Sequence, residues 1–349
     1  MGVIIAILIL LILVMVHELG HFFMGRALGI GIEELSIGFG PKIFQKKSKK
    51  EILYTLRVLP LGAFVRFTGE DEDNDNPKAM NNQPVWKRFL TVLAGPAMNI
   101  LMAYAVVAIY LMVIGLAYNA PVVAQLMDGL PAQQAGLQVG DIIESVNGES
   151  VDVNTVGAGE QVRDMITSAQ AGQPLVLGVI RDGEKMEISL TPVLGEDGAL
   201  QIGIYMGQAM YHFGFVDAVR ASGQQIWYVM GEMLNMLKDL IFRGEGVEGV
   251  MGPVGTVGFI SQQVSQGLDM ILNMVWLLSL NLGIMNLLPI PALDGGRLVL
   301  LIVEGIRRKP LDRNKEGLVH LIGFGLLIMV MLFFTYKDII RWITGNWGA

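Results

Sequence analysis

The chain has no cysteine among its 349 residues, and only four histidines. The first absence removes disulfides, thiolate nucleophiles and cysteine-based metal sites, while saying nothing about compartment. Charge is also scarce. Asp, Glu, Lys and Arg make up 16% of the residues, against about a quarter in an ordinary soluble domain. In their place stand apolar residues, 52% of the chain, and the mean hydropathy is positive. This is the composition of a membrane protein, with room for one soluble domain of roughly a hundred residues. The net charge of −7 is unevenly spread. Its basic clusters border apolar runs rather than forming a basic surface, so nucleic acid is not an expected partner.

Four stretches reach the roughly 20 apolar residues that a helix needs to cross a lipid bilayer. They run from Gly2 to about Leu28, Phe89 to about Tyr118, Met270 toward Leu293, and Gly317 to about Tyr336. The first lacks a basic leader and an A-x-A-like cleavage site, so it reads as a retained span rather than a signal peptide. Between Gly31 and Arg88 lie ten Lys/Arg, and between Arg297 and Glu316 six more. The segment from Asn119 to Gln266 has six, against seventeen Asp/Glu. By the positive-inside rule the first and third connections are cytoplasmic, and the long acidic segment and both termini are outside. Lys337 and Arg341 run against this pattern.

The outer segment contains "GLPAQQAGLQVGDIIESVNGESV", a short Pro-initiated helix followed by a strand and an Asn-Gly turn. Farther on, "PLVLGVIRDGEKMEISLTPV" reads as a hairpin with an Asp-Gly turn. Together they predict a small β-rich domain that resembles PDZ domains of the bacterial protease type. In "LQIGIYM", Gly203 stands where a permuted PDZ domain forms its peptide-carboxylate loop; an ordinary strand is the alternative. The expected organisation is 1–118 with two spans, 119–206 as the PDZ-like domain, 207–266 as a linker or amphipathic region, and 267–349 with two more spans. The first cytoplasmic loop predicts a membrane-associated β-hairpin, "EILYTLRVL" and "AFVRFTGE" around a "PLG" turn. The acidic run "EDEDNDNP" after it has Asn76 and Asn82 where a calcium loop needs Gly and Glu, so it reads as solvated loop.

Within the first span, "LVMVHELGHFFMG" places three ionisable residues in an otherwise apolar run. Each ionisable residue at the centre of a span costs about 2.5–3.5 kcal/mol. The twelve Ile, Leu and Val among residues 3–16 return about 0.3–0.6 kcal/mol apiece, so insertion survives. Packing alone gives no reason for such groups. On a helix His17 and His21 share a face and can hold one metal ion, with Glu18 within reach of a water there. Two imidazoles and a carboxylate suit zinc with an open fourth position. For a third ligand there remain His212, His320 and the better-placed Asp294 in "NLLPIPALDGG", where Pro289 and Pro291 break the helix. A plain helix end with Asp294 facing water is the alternative. His17 lies roughly 25 Å along the first helix from its outer end, and Asp294 closes a span running the same way, so both approach the cytoplasmic face.

"HELGH" and "NLLPIPALDGG", with "AGPAMN" (94–99), "MGPVG" (251–255) and a PDZ-like domain between them, resemble the site-2 protease family, zinc intramembrane metalloproteases. The likeness covers nearly the whole chain and is nearest the short bacterial members with one PDZ domain. It implies a polytopic α-helical protein of the bacterial inner membrane. His17, His21 and Asp294 would be zinc ligands and Glu18 the general base. Asn286 and Asn99 would be substrate-backbone or oxyanion contacts, with an interhelical hydrogen bond as the alternative for each. The substrates implied are single-pass membrane proteins already shortened by another protease, such as anti-sigma factors or signal-peptide remnants. The hairpin, through Val65 and Phe67, could hold such a substrate extended as an added strand. The PDZ domain could bind a peptide C-terminus or exclude bulky ectodomains. The competing reading is a receptor or scaffold with PDZ binding and a structural zinc, which would not need Glu18.

Overall fold

The computed structural model describes residues 2–49, 51–70, 75–153, 155, 157–195, 198–244, 250–310 and 312–344. Asp71 to Asn74 of the acidic run lie outside the described residues. In chain order the elements are α1 (Gly2–Ala27), β1 (Ile32–Lys47), β2 (Leu53–Phe67), α2 (Val85–Val113), β3 (Leu116–Leu126), α3 (Pro131–Gln134), β4 (Ile142–Val146), β5 (Glu149–Ser150) and α4 (Ala158–Thr167). There follow β6 (Leu175–Arg181), β7 (Glu184–Leu190), β8 (Val193–Leu194), β9 (Leu200–Gln201), β10 (Ile204–Tyr211), α5 (Phe215–Arg243), α6 (Pro253–Gln263), α7 (Leu268–Leu287), α8 (Asp294–Arg307) and α9 (Arg313–Thr344). They form two compact units, residues 111–217 and the remainder.

Among the described residues, the larger unit holds four helices long and apolar enough to cross a membrane: α1, α2, α7 and residues Glu316–Thr344 of α9. In α1, Leu, Ile and Val stand on every side, the pattern of a helix with no aqueous face. Ala6, Ile9 and Leu13 of α1 pack with Ile260 of α6. The third apolar stretch does not continue to Leu293. Leu288, next to Pro289, adopts an extended backbone with ψ 141° and ends α7, as a residue before proline tends to do. Asp294 is therefore the first residue of a new helix, α8. That helix is amphipathic, burying Leu298 and Leu301 in a cluster with Ile30, Phe67, Met80 and Val92, and Glu304 pairs with Arg88 of α2. The Gly-Pro-Val-Gly run wraps the carboxylate of Asp338, a fully buried residue of α9. Gly255 N–H donates to Asp338 Oδ2 at 2.7 Å, and a Cβ on Gly252 or Gly255 would stand 2.7 Å from an Asp338 oxygen.

The loop between α1 and α2 is not a hairpin. Leu53–Leu56 and Ala63–Phe67, expected to pair with each other, instead flank residues 32–37 of β1: Leu35 lies opposite both Tyr54 and Val65. Residues 42–47 of β1 then pair with the outer side of 53–57. Two long strands thus make four segments, in the order 42–47, 53–57, 32–37, 63–67, the two outer pairs antiparallel and the middle pair running in the same direction. The reason is a fold-back in each strand, in β1 at Gly38 and Gly40, whose φ values of +86° and +85° favour glycine. Glu34, buried in the middle segment, accepts from Thr55 Oγ1 at 2.6 Å and Arg57 Nη2 at 2.7 Å. The segment 63–67 is left at an edge.

The smaller unit is an antiparallel sheet ordered β10-β3-β4-β6-β7, with β5 beside β4 and a separate β8–β9 pair. Alternating apolar residues of β3, β4 and β6, among them Val123, Ile143, Leu177 and Val179, meet Val162 and Ile166 of α4 in one core. The unit exceeds the expected 119–206 at both ends, because β3 and β10 pair out to Leu116 opposite Tyr211. Asp141 is buried and paired with Arg181, Oδ1 to Nε at 2.7 Å and Oδ2 to Nη2 at 2.6 Å. Those hydrogen bonds from Arg181 hold the Asp141 carboxyl below its ordinary range despite its desolvation. The region expected as a linker or amphipathic segment, 207–266, starts within β10 and continues into α5, 29 residues long and amphipathic.

Candidate active site

α1 brings His17 and His21 to one face one turn apart, with their Nε2 atoms 3.1 Å from each other. The broken segment 288–293 brings Asp294 to them from the far end of the chain: its Oδ2 lies 2.9 Å from His17 Nε2 and 3.4 Å from His21 Nε2. Among the described residues these are the His, Asp or Glu side chains whose ligand atoms gather as a metal-sized group, all within 4.8 Å of one another. The two histidines are buried. His320, the other candidate third ligand of the larger unit, does different work. Its Nδ1 accepts from Ala292 N–H at 3.1 Å, holding the loop at a residue whose φ is +76°.

The neighbouring helix α2 supplies the surroundings. Thr91 C=O accepts from His21 Nδ1 at 2.8 Å. A carbonyl only accepts, so the proton sits on Nδ1 and the lone pair of His21 is on Nε2. One turn on, Gly95 faces both rings; a Cβ there would stand 2.9 Å from His17 Nε2 and overlap His21 Nε2. Gly20 makes the matching approach from α1, its Cα against Ala94 C=O of α2 with no room for a side chain. Two turns on from Thr91, Asn99 Nδ2 lies 3.2 Å from His17 Nδ1.

Glu18 reaches the edge segment of β2, where its Oε2 accepts from Val65 N–H at 3.0 Å. Phe67 N–H donates to Glu70 Oε2 at 3.2 Å, and Glu70 is paired with Arg297, one turn after Asp294 in α8. His17, Glu18, His21, Val65, Asn286 and Asp294 all line one cavity of about 300 Å³.

A family model described as peptidase family M50 matches residues 5–330. The chain belongs to peptidase family M50. It is 31% identical to the regulator of sigma-W protease RasP of Bacillus subtilis (strain 168), over 94% of this chain and 96% of that one. It is also 31% identical to the zinc metalloprotease RasP of Geobacillus kaustophilus (strain HTA426), over 94% and 95%. A solved PDZ domain of an SdrC-like protein from Listeria monocytogenes covers 26% of the chain at 20% identity, with a TM-score of 0.22. This M50 peptidase is accordingly a zinc metalloprotease.

The cluster of this M50 chain fits the ion. Bonds of about 2.0–2.2 Å to a tetrahedral zinc hold ligand atoms about 3.3–3.5 Å apart, and the three separations here are 2.9, 3.1 and 3.4 Å. Asp294 Oδ2 is buried and makes no hydrogen bond of proper geometry. The missing Cβ at Gly95 keeps open the space that the Nε2 atoms face.

Of the residues singled out in the sequence, His17, Glu18, His21, Asp294, Asn286, Val65 and Phe67 share the cavity. Asn99 does not line it and is fully buried beside His17. Gly203 belongs to the smaller unit, where, with φ +84°, it lines a groove of about 340 Å³ between α4 and residues 199–206. Thr91 and Gly95 escaped the sequence reading, and His320 entered it only as a possible metal ligand, not as the residue that holds the loop at Ala292. A main-chain carbonyl acceptor leaves no mark on the side-chain sequence, although the glycine of "AGPAMN" was a signal that something passes close.

Proposed function

We propose that this M50 peptidase is an intramembrane endopeptidase that cleaves single-pass membrane proteins after a first cut by another protease, anti-sigma factors and signal-peptide remnants being the substrate classes. The observation that carries the reading is the meeting of His17, His21 and Asp294 within 4.8 Å, two of them on a helix apolar enough to span the bilayer, with Glu18 in the same cavity. His17, His21 and Asp294 hold the zinc, which when bound supplies Lewis acidity and eases deprotonation of a water. Glu18 takes the proton of the attacking water on its carboxylate and returns it to the leaving amine. Val65 N–H, donating to Oε2, holds that carboxylate beside the edge segment until a substrate strand takes the N–H.

A helical substrate must be held extended before its peptide bond can be attacked. The edge segment 63–67 offers main-chain groups beside the cavity, and a substrate added there as a strand would lie along Val65 and Phe67. Asn286 stands ready to donate to the substrate backbone from the cavity wall. The loop charges orient the site toward the cytoplasm and the PDZ-like domain, with Gly203 in its peptide groove, outside. That domain would engage a newly made C-terminus or bar bulky ectodomains.

The test is cleavage of a truncated single-pass protein in liposomes by the native chain and by Glu18→Gln, with zinc content measured in both. Zinc retained in both, with cleavage lowered roughly 10²–10⁴-fold by the substitution, is the expected outcome. Zinc bound but no cleavage of any of a panel of such substrates by the native chain would move the assignment to a receptor or scaffold.

A further inference from the structure

The two zinc-ligating histidines of the proposed site are held differently, and the difference assigns a role to Asn99. His21 has an acceptor on its Nδ1, the Thr91 carbonyl, which fixes its lone pair on Nε2. For His17 to ligate through Nε2 its Nδ1 must likewise carry the proton, and that N–H then needs an acceptor. The group 3.2 Å away is the Asn99 carboxamide, whose Nδ2 end makes the contact and whose buried Oδ1 has no hydrogen-bond partner among the described residues. The two ends of a carboxamide have nearly the same shape, so its partners decide which end faces the ring. A donating amide nitrogen at His17 Nδ1 would put the proton on Nε2 and turn the lone pair away from the ligand cluster.

We infer that Asn99 is a positioning residue whose side-chain oxygen accepts the Nδ1–H of His17 and so aims Nε2 at the zinc, as the Thr91 carbonyl does for His21. Thr91, Gly95 and Asn99 stand four residues apart along α2 and share one face. The outer two grip the Nδ1 sides of the rings, and the middle one leaves room on the Nε2 side. A substrate contact does not account for Asn99, because it is fully buried and absent from the cavity lining. The tie from Asn99 to α7 runs through its backbone carbonyl, which accepts from Ser279 Oγ at 2.8 Å, so the hydrogen bond of its side chain across to α1 is the one at His17.

The inference rests on His17 being a zinc ligand, and the experiment separates the two. Zinc affinity of the purified full chain in detergent is measured by chelator competition for the native protein, Asn99→Leu, Asn99→Asp and His17→Ala, with melting of the zinc-free proteins as the folding control. Leucine keeps the shape and removes the acceptor; aspartate keeps an acceptor and removes the donor. Asn99→Leu should bind zinc about 10–100-fold more weakly, Asn99→Asp close to natively, and His17→Ala more weakly than either. At saturating zinc the substrate KM of Asn99→Leu should match the native value, which a lost substrate contact would not allow. Native zinc affinity in Asn99→Leu overturns the inference, and so does a folded Asn99→Asp that binds as poorly as the leucine variant. Should Asn99→Leu fail to fold, the aspartate variant decides alone. Undiminished zinc binding by His17→Ala would instead overturn the ligand assignment.

Discussion

The glycine between the two gripping residues of α2 gives the sharpest test of how the metal site is built. Gly95→Ala adds one methyl group. In a helix that change by itself is favourable, by about 1 kcal/mol, because alanine is the better helix former. Here the new carbon would lie 2.9 Å from His17 Nε2, whereas ordinary contact begins at 3.4 Å, so the His17 ring must retreat by at least 3.4 − 2.9 = 0.5 Å. His21 Nε2, which the methyl overlaps, must retreat farther. Metal–ligand distances tolerate about 0.2 Å, so both imidazoles are displaced beyond what the ion accepts. Overpacking costs about 1–3 kcal/mol, which the helix gain partly offsets. The variant should therefore insert and fold while losing zinc. Zinc content after equilibration against a metal buffer, together with melting of the zinc-free protein, measures the two effects separately. Native zinc affinity in a folded Gly95→Ala would refute the placement of the ion between α1 and α2.

Further outcomes follow from other contacts. Val65→Pro with Phe67→Pro removes the two edge N–H groups that donate to Glu18 and Glu70; cleavage should disappear while zinc stays bound, and intact cleavage would sink the added-strand mechanism. In the smaller unit, Arg181 holds the Asp141 pKa below its unfolded value, so the pair stabilises fully above about pH 4 and its contribution fades as the pH falls through the lowered folded pKa. Protection of the β4 and β6 amides in the full chain, measured relative to the intrinsic exchange rate at each pH, should fall below that pH, and Arg181→Ala should show low protection at neutral pH with little further acid response. An equally strong acid response in that variant would assign the effect to other groups.

What the sequence made legible was local. His17 and His21 stand four apart, so any helix puts them on one face, and the prolines around Asp294 announce a break wherever the chain goes. The spans follow from run length alone. What escaped was set by partners distant in the chain. The hairpin reading assumed that strands close in sequence pair with each other, but the fold-backs of β1 and β2 interleave them so that Leu35 meets both Tyr54 and Val65. Asn99 suggested a substrate contact because only its type was visible, not that it is buried against His17. Asp338 and the Gly-Pro-Val-Gly run, which it holds together, carry no mark of each other.

The loop from Leu288 to Leu293, pinned at Ala292 by His320 and delivering Asp294 as the opening residue of α8, has a consequence during synthesis. His17 and His21 are made well before Asp294, the carboxylate that completes their cluster, and His320, which steadies the loop, follows later still. A partly made chain in the membrane carries two histidines and a glutamate with no metal-sized group to bind into. The ligand cluster of this peptidase therefore closes only after the chain has been made past Asp294.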